Sequence, residues 1–152
     1  MINKISLILT YYNEEKNILS TLKSIFDQTL LPNELILINS GSTDKSKKII
    51  DNFLKKQKKK IKTFNFSLDT DLPSTSKNMG IQVSNNQLVA FMDFGISFSK
   101  EWLKNQFDIM NKKNVDAVIG TVKLSGSSLF DKASVINTYG NKNSTPCIPG
   151  SL

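Results

Sequence analysis

The sequence contains no histidine and no arginine, and its single cysteine is Cys147. The lack of histidine excludes Ser-His-Asp and Cys-His catalysis and histidine-ligated metal sites, so a general base must be a carboxylate, a lysine or a tyrosine. The lack of arginine leaves lysine point charges and backbone N–H groups to bind phosphate, without planar guanidinium forks. A lone cysteine cannot form an intrachain disulfide, which is typical of a reducing compartment.

Long apolar runs are also missing from this chain of 152 residues. No stretch approaches the roughly 18 residues that a membrane-spanning helix needs. The N-terminus continues directly into a strand pattern and has none of the features of a signal peptide. With 39% hydrophobic and 22% charged residues, we expect one globular domain over residues 1–152 and a cytoplasmic location.

The net charge of +7 comes largely from a lysine-rich run between Lys55 and Lys62. Such a run is typical of a solvated helix C-terminus, where cations complement the helix dipole. The alternative is contact with an anionic membrane surface or with nucleic acid. Because no aromatic residues interleave these lysines, we expect no nucleic-acid partner. Peripheral contact with the inner face of a membrane stays open.

Apolar periodicity along the chain alternates between strand and helix patterns. Strands are predicted over residues 5–9, 35–38, 61–66, 88–93 and 115–124. Helices are predicted from a cap at Asn13 to Phe26, over 44–58 with Asp44 as the capping residue, over 73–83, from near Ser99 onward, and over 127–139. This alternation predicts an α/β fold with a mainly parallel sheet and helices on both faces.

Polar residues follow three of the predicted strands, at residues 10–13, 39–42 and 93–95. In α/β folds, ligands bind at the carboxyl ends of the strands, so these segments form the candidate site. Asp93 ends a buried apolar run and is the leading candidate acid. Two residues later, Gly95 stands where a second carboxylate would complete a metal site.

These segments, in this order, resemble the GT-A domain of family 2 glycosyltransferases. Residues 5–15 are similar to the family's opening strand and its T-Y-N-E turn, and residues 34–44 to its E-I-I-V-V-D-D-G-S-T-D segment. Residues 76–80 resemble the A-R-N-x-G helix, and residues 88–95 resemble the strand with the D-x-D motif, here as Asp-x-Gly. The Trp102-Leu103 pair matches a W-L that often follows.

The resemblance covers residues 1–124, the nucleotide-sugar-binding part, and residues 125–152 resemble the start of the acceptor part. It implies a Rossmann-like GT-A nucleotide-diphospho-sugar transferase fold, with an acceptor half that we expect to be truncated. The implied activity is an inverting, metal-assisted transfer of a sugar from a nucleotide-diphosphate-sugar donor. A glycan or lipid-linked acceptor, and a role in polysaccharide biosynthesis, are implied with it.

The resemblance also implies roles for individual residues. Asp93 is the candidate catalytic acid and the ligand of a divalent metal, Mg²⁺ or Mn²⁺. Asn39 replaces an acid that in the family typically contacts the nucleoside, and it keeps hydrogen-bonding capacity without charge. Lys77 is the candidate cation for the diphosphate. The candidate donor-nucleotide residues are Thr10, Tyr11, Tyr12, Asn13, Glu14, Asn39, Gly41, Ser42, Lys77 and Met92.

Three hypotheses follow from these residues. The first is a glycosyltransferase, although the downstream acids Asp116 and Asp131 lie in no recognisable base motif. The second is a non-catalytic nucleotide-sugar-binding module or a truncated, inactive fragment, which Asn39 and Gly95 favour. The third is another α/β nucleotide-binding protein, such as a nucleotidyltransferase or a flavodoxin-like binder. The absence of a glycine-rich phosphate loop disfavours the third.

Overall fold

Strand and helix alternate along the chain in a computed structural model that describes residues 4–58, 61–69, 72–96 and 98–120. The chain separates into two units, Met1–Val118 and Ile119–Leu152, and the elements below belong to the first. The strands are β1 (Ile5–Tyr11), β2 (Glu34–Ser40), β3 (Lys62–Leu68) and β4 (Leu88–Asp93). The helices are α1 (Ile18–Phe26), α2 (Ser46–Lys55), α3 (Pro73–Val83) and α4 (Trp102–Lys113).

The strands form a parallel sheet in the order β3-β2-β1-β4. The first three strands are added in one direction, and β4 then pairs with the opposite side of β1. In the β1–β4 register Thr10 lies opposite Asp93, and in the β1–β2 register Tyr11 lies opposite Asn39. The strand order therefore reverses between β1 and β4, and ligands of such sheets bind at the carboxyl end of this reversal.

Helices cover both faces of the sheet. Leu7 and Leu9 of β1 pack in one core cluster with residues of α1, while Ile8 packs in a second cluster with Met79 of α3. Since successive side chains of a strand point to opposite faces, β1 and β2 are apolar on both sides. The expected mainly parallel sheet between helices is therefore confirmed.

Helix α3 approaches the sheet very closely at Gly80. A Cβ atom built there would lie 2.5 Å from Cγ2 of Ile8, a side chain that is fully buried. One turn earlier, the hydroxyls of Ser76 and Ser40 are 2.7 Å apart in the interior. These two contacts hold α3 against the carboxyl half of the sheet, and they position Lys77.

We expect Gly80→Val to destabilise the fold by about 2–3 kcal/mol, because the added methyl groups overpack a contact that has no free volume. The helix propensity of valine exceeds that of glycine by less than about 1 kcal/mol, so it cannot offset this cost. Urea denaturation measures the change, with Gln82→Ala on the exposed side of α3 as the control. Unchanged stability in Gly80→Val would contradict the close packing.

The opposite, amino end of the sheet contains a buried carboxylate. Glu34 is 2% exposed. Its carboxylate accepts hydrogen bonds from the Ser6 hydroxyl at 2.6 Å, from the backbone N–H of Asn85 at 2.7 Å and from the Asn85 side-chain amide at 3.0 Å. These bonds join β1, β2 and the segment before β4.

Three predictions about local structure are corrected here. Asn13 does not cap α1, which begins at Ile18; Asn13 has a left-handed φ of 53°. Its side-chain oxygen instead accepts a hydrogen bond from the backbone N–H of Thr43, in the loop after β2. The described residues 115–120 form no strand, and the rest of that predicted strand and the predicted helix over 127–139 lie outside the described residues. The N-cap position of α2 is Lys45, and Asp44 lies one residue earlier, where its carboxylate accepts the backbone N–H of Ser46 at 2.9 Å.

Candidate functional site

Reciprocal hydrogen bonds join the loop after β1 to the loop after β2. The backbone N–H of Asn13 donates to the hydroxyl of Ser42 at 3.0 Å, and the N–H of Thr43 donates back to Oδ1 of Asn13 at 2.9 Å. The N–H of Glu14 donates to the hydroxyl of Ser46 at 2.9 Å. Loop N–H groups without a backbone partner need another acceptor. The side-chain oxygens of Ser42, Ser46 and Asn13 fill this role, and they hold both loops in place.

A second exchange extends this contact. The N–H of Glu15 donates to Oδ2 of Asp44 at 3.1 Å, and the N–H of Lys45 donates to Oε2 of Glu15 at 3.2 Å. Desolvation acts to raise the pKa of Asp44, but the hydrogen bonds from Ser46 and Glu15 outweigh it and lower this pKa. The two strand ends are therefore held as one polar unit, which we call the loop clasp (residues 13–15 and 42–46).

Asn39 lies under the loop clasp at the end of β2 and is 7% exposed. Its Oδ1 accepts the backbone N–H of Ser42 at 2.9 Å. Ser42 therefore bonds to both Asn13 and Asn39, and Gly41 makes the tight turn between Asn39 and Ser42 with a φ of 76°. Glycine suits this position because a side chain would be strained there.

Two tyrosines at the end of β1 have opposite environments. Tyr11 is 2% exposed, and its hydroxyl donates to Oδ1 of Asn65 at 2.9 Å. Its ring packs edge-on against Phe94, and burial raises the pKa of Tyr11 to about 12. Tyr11 is a candidate donor-nucleotide residue in the sequence, but its ring belongs to the core and cannot stack on a base. Tyr12 is 57% exposed and is the accessible ring at this strand end.

Asp93 and Lys77 meet where the strand order reverses. Nζ of Lys77 lies 3.4 Å from Oδ1 of Asp93, and the two side chains are 38% and 60% exposed. The half-buried Thr10 is the neighbour of Asp93 in the sheet. Within the described residues, Oδ2 of Asp93 has no hydrogen bond or ion pair. Met92 points into the core at 3% exposure, so only its backbone can face a ligand.

Gly95 has a φ of 82°, and a Cβ atom there would lie 3.4 Å from the Asn17 amide nitrogen. An acid at this position would therefore be strained in the observed backbone conformation. In the described ranges, no group of three or more potential ligand residues could hold a metal ion. One carboxylate with an open oxygen nevertheless fits Mg²⁺ or Mn²⁺ that takes its other ligands from water and substrate phosphates.

The remaining candidate acids contribute little to this geometry. The carboxylate of Glu14 accepts the Asn17 amide at 2.7 Å, so its side chain supports the turn before α1. Asp116 is exposed in the segment after α4 and makes no hydrogen bond or ion pair among the described residues. Asp131 lies outside the described residues.

The cationic run begins in the last turn of α2, where Lys55 is exposed. Because α2 starts at the carboxyl end of β2, its C-terminus lies toward the amino end of the sheet, away from Asp93. This placement favours the helix-end interpretation of the charge. Membrane contact stays a prediction, and none of the helices in the described ranges has the length and apolarity to span a bilayer.

The fold and these strand ends define an α/β domain with a polar site at the point of strand reversal. The chain matches the glycosyl transferase family 2 over residues 6–148, and it belongs to this family. An uncharacterized glycosyltransferase from Haemophilus influenzae is 33% identical over 106 residues, which are 70% of this chain and 42% of that protein. Family membership argues against the flavodoxin-like and nucleotidyltransferase hypotheses.

Two solved structures have the same fold. Staphylococcus aureus TarS 1-349 in complex with UDP-GlcNAc gives a TM-score of 0.65 at 23% identity, covering 82% of this chain and 37% of that one. The mannosyltransferase PcManGT from Pyrobaculum calidifontis, in complex with GDP-Man and Mn²⁺, gives 0.66 at 17% identity, covering 70% and 32%. The GT-A-like fold is thus confirmed, and the chain spans less than half the length of these proteins.

Proposed function

We propose that this domain binds a nucleotide-diphosphate-sugar donor and, in the whole protein, serves transfer of the sugar to a glycan or lipid-linked acceptor. The observation that carries the proposal is the approach of Lys77 to Asp93 at 3.4 Å where the strand order reverses. An acid and a cation at this point suit a metal-bound diphosphate. The exposed Tyr12 directly follows β1, the strand that pairs with β4 in the sheet.

Each residue has a distinct task in this proposal. Tyr12 stacks on the base, Lys77 contacts the diphosphate, and Asp93 holds the divalent metal. A bound metal would offset the charge that develops on the departing nucleotide. The N–H groups of Asn13 and Ser42 are already donated within the protein. Lys77 therefore carries most of the phosphate contact.

Inverting transfer needs a carboxylate that deprotonates the acceptor hydroxyl. Asp116 is exposed in the segment after α4 and makes no hydrogen bond or ion pair among the described residues, so we assign no base within the described ranges. The second candidate function is a donor-binding module without transfer. This second function is favoured because Gly95, with a φ of 82°, stands where a second acid would bind the metal, so that Asp93 is left as a single acid.

Calorimetric titration with UDP, CDP, GDP and ADP, each with and without Mn²⁺, tests the proposal. We expect one or more of these nucleotides to bind and Mn²⁺ to increase its affinity. Absence of binding under all conditions would contradict the proposed function. If the chain released free sugar from a nucleotide-diphosphate-sugar donor, the hypothesis of a donor-binding module without transfer would be excluded.

We expect Lys77→Met to weaken nucleoside diphosphate binding by about tenfold or more, because a charge-assisted contact to phosphate is lost. Binding of the corresponding nucleoside, which lacks phosphate, should stay unchanged. Titration of both ligands measures the difference, and Lys104→Met on the exposed surface of α4 is the matched control. Equal losses for nucleotide and nucleoside would contradict a phosphate contact and indicate a structural role.

A further inference from the structure

Helix α3 and strand β4 form a surface with almost no charge. Among residues 72–92, Lys77 is the single charged residue, and its Nζ lies 3.4 Å from Oδ1 of Asp93. The other three helices each expose lysines, which are Lys23 of α1, Lys48 and Lys55 of α2, and Lys112 and Lys113 of α4. Charged residues are depleted at the centres of protein–protein interfaces, so the surface of α3 and β4 has the composition of an interface.

Two large apolar side chains are exposed at the same level of this surface. Ile81 follows Lys77 by four residues on α3, and Phe91 precedes Asp93 by two residues on β4. Only residues 84–87 join the end of α3 to the start of β4, so the helix runs antiparallel to the strand. Four residues of a helix and two residues of a strand both advance by about 6–7 Å and return to the same side. Because Lys77 lies beside Asp93, Ile81 therefore comes level with Phe91.

Phe91 is exposed because α3 covers β1 and β2 instead. Its partner in the β1–β4 register is Ile8, so both side chains point to the same face of the sheet. Ile8 is fully buried under α3, whereas Phe91 is 41% exposed and Ile81 is 47% exposed. We define the α3–β4 face as Ile81, Phe91 and the half-buried Val89, with Lys77 and Asp93 at its border. Among the described strands β4 is the outer one on this side, and contiguous apolar surface beside a strand edge normally marks contact with a partner.

We propose that the α3–β4 face joins two copies of this chain in a two-fold symmetric dimer. With a net charge of +7, two copies repel each other on most approaches. In a two-fold contact each surface meets itself, so a helix that exposes lysines opposes its own charge. The α3–β4 face has no charge at its centre, and the opposite charges of Lys77 and Asp93 cancel at its border. Ile81 and Phe91 of both copies are removed from water in the dimer, which requires no bound nucleotide.

Sedimentation equilibrium over a range of chain concentrations tests the dimer, without nucleotide and with a reductant that prevents linkage through Cys147. We expect a monomer–dimer equilibrium that becomes tighter as salt screens the net charge. Ile81→Lys should raise the dissociation constant at least about tenfold, because it places like charges on both sides of the two-fold axis. Ile109→Lys on α4 is the matched control, since Ile109 is similarly exposed at 45% and Trp102 of the same helix packs on the opposite face of the sheet. This control should change the dissociation constant much less.

Circular dichroism checks that each variant is folded, and Ile81→Gln is a milder change that should weaken the dimer in the same direction. A chain that stays monomeric at every concentration would overturn the dimer and leave the α3–β4 face to a lipid or another protein. If Ile81→Lys and Ile109→Lys weaken the dimer equally, or if no folded variant of Ile81 weakens it, the two copies meet on another surface and the proposed interface is wrong. Neither result bears on nucleotide binding, so the proposed function is tested separately.

Discussion

Asp93→Asn is expected to remove the dependence of nucleotide binding on Mn²⁺. The substitution keeps the shape of the side chain but replaces the acid at the strand reversal with a neutral amide. Changes to groups that merely support metal ligands cost about 10- to 100-fold in affinity, so loss of the ligand itself should cost at least about tenfold. Residual binding through Lys77 and Tyr12 should be insensitive to metal.

The fold should survive this substitution. Asp93 is 60% exposed, and its ion pair with Lys77 is solvated, so the pair contributes little to stability. Calorimetric titration with and without Mn²⁺ measures the effect, and thermal unfolding checks the fold. Asp108→Asn, which removes an exposed acid of α4, is the control. Retention of a full Mn²⁺ effect in Asp93→Asn would contradict the role assigned to this acid.

The elements of the sheet were predictable because local patterns determine them. The strands around Leu7 and Ile36 are continuous apolar runs, as parallel strands covered on both faces must be. The α/β alternation then restricts the topology to parallel strands joined by right-handed crossovers. Thr10, Asn39 and Asp93 fall at strand ends for the same reason, and the structure places them at the carboxyl edge of one sheet.

The contacts between the strand ends were not predictable from local patterns. Asparagine is a common helix-capping residue, but the Asn13 side chain accepts a hydrogen bond from the backbone N–H of Thr43, thirty residues away. Tyr11 and Tyr12 are adjacent and chemically identical, and only the side of the strand that each occupies separates a core ring from an exposed one. Sequence spacing specifies neither effect, because the first depends on which loop packs against which and the second on which side of the strand the core covers.

Gly95 illustrates a third kind of difference. In the sequence, Gly95 is notable only because it stands where a second acid would complete a metal site. In the structure, its φ of 82° gives the turn after β4 a conformation that side chains rarely adopt. The loss of a metal ligand is thus coupled to backbone geometry, and a single substitution at this position would not simply restore a second carboxylate.

Glu34→Ala is expected to destabilise the domain by about 3 kcal/mol at neutral pH, because it leaves the buried hydroxyl of Ser6 and two partly buried N–H groups of Asn85 without their acceptor. The loss should be structural, since Glu34 lies at the amino end of the sheet and the candidate site lies at the carboxyl end. Urea denaturation at pH 7 measures it. Glu101→Gln, at an exposed position before α4, is the control. A loss no larger than that of the control would contradict the role of this network.

The same carboxylate should make stability depend on pH. Desolvation acts to raise the pKa of Glu34, but hydrogen bonds from Ser6 and Asn85, together with the charge of Lys62, lower it below the ordinary value of 4.5. A group with a lowered pKa contributes stability above its unfolded pKa and loses it as pH falls through the folded one. The unmodified domain should therefore lose stability as pH falls below about 4.5, and Glu34→Gln should flatten this part of the profile. Denaturation midpoints between neutral and acidic pH measure the slope, and parallel profiles for the two proteins would show that Glu34 is not its source.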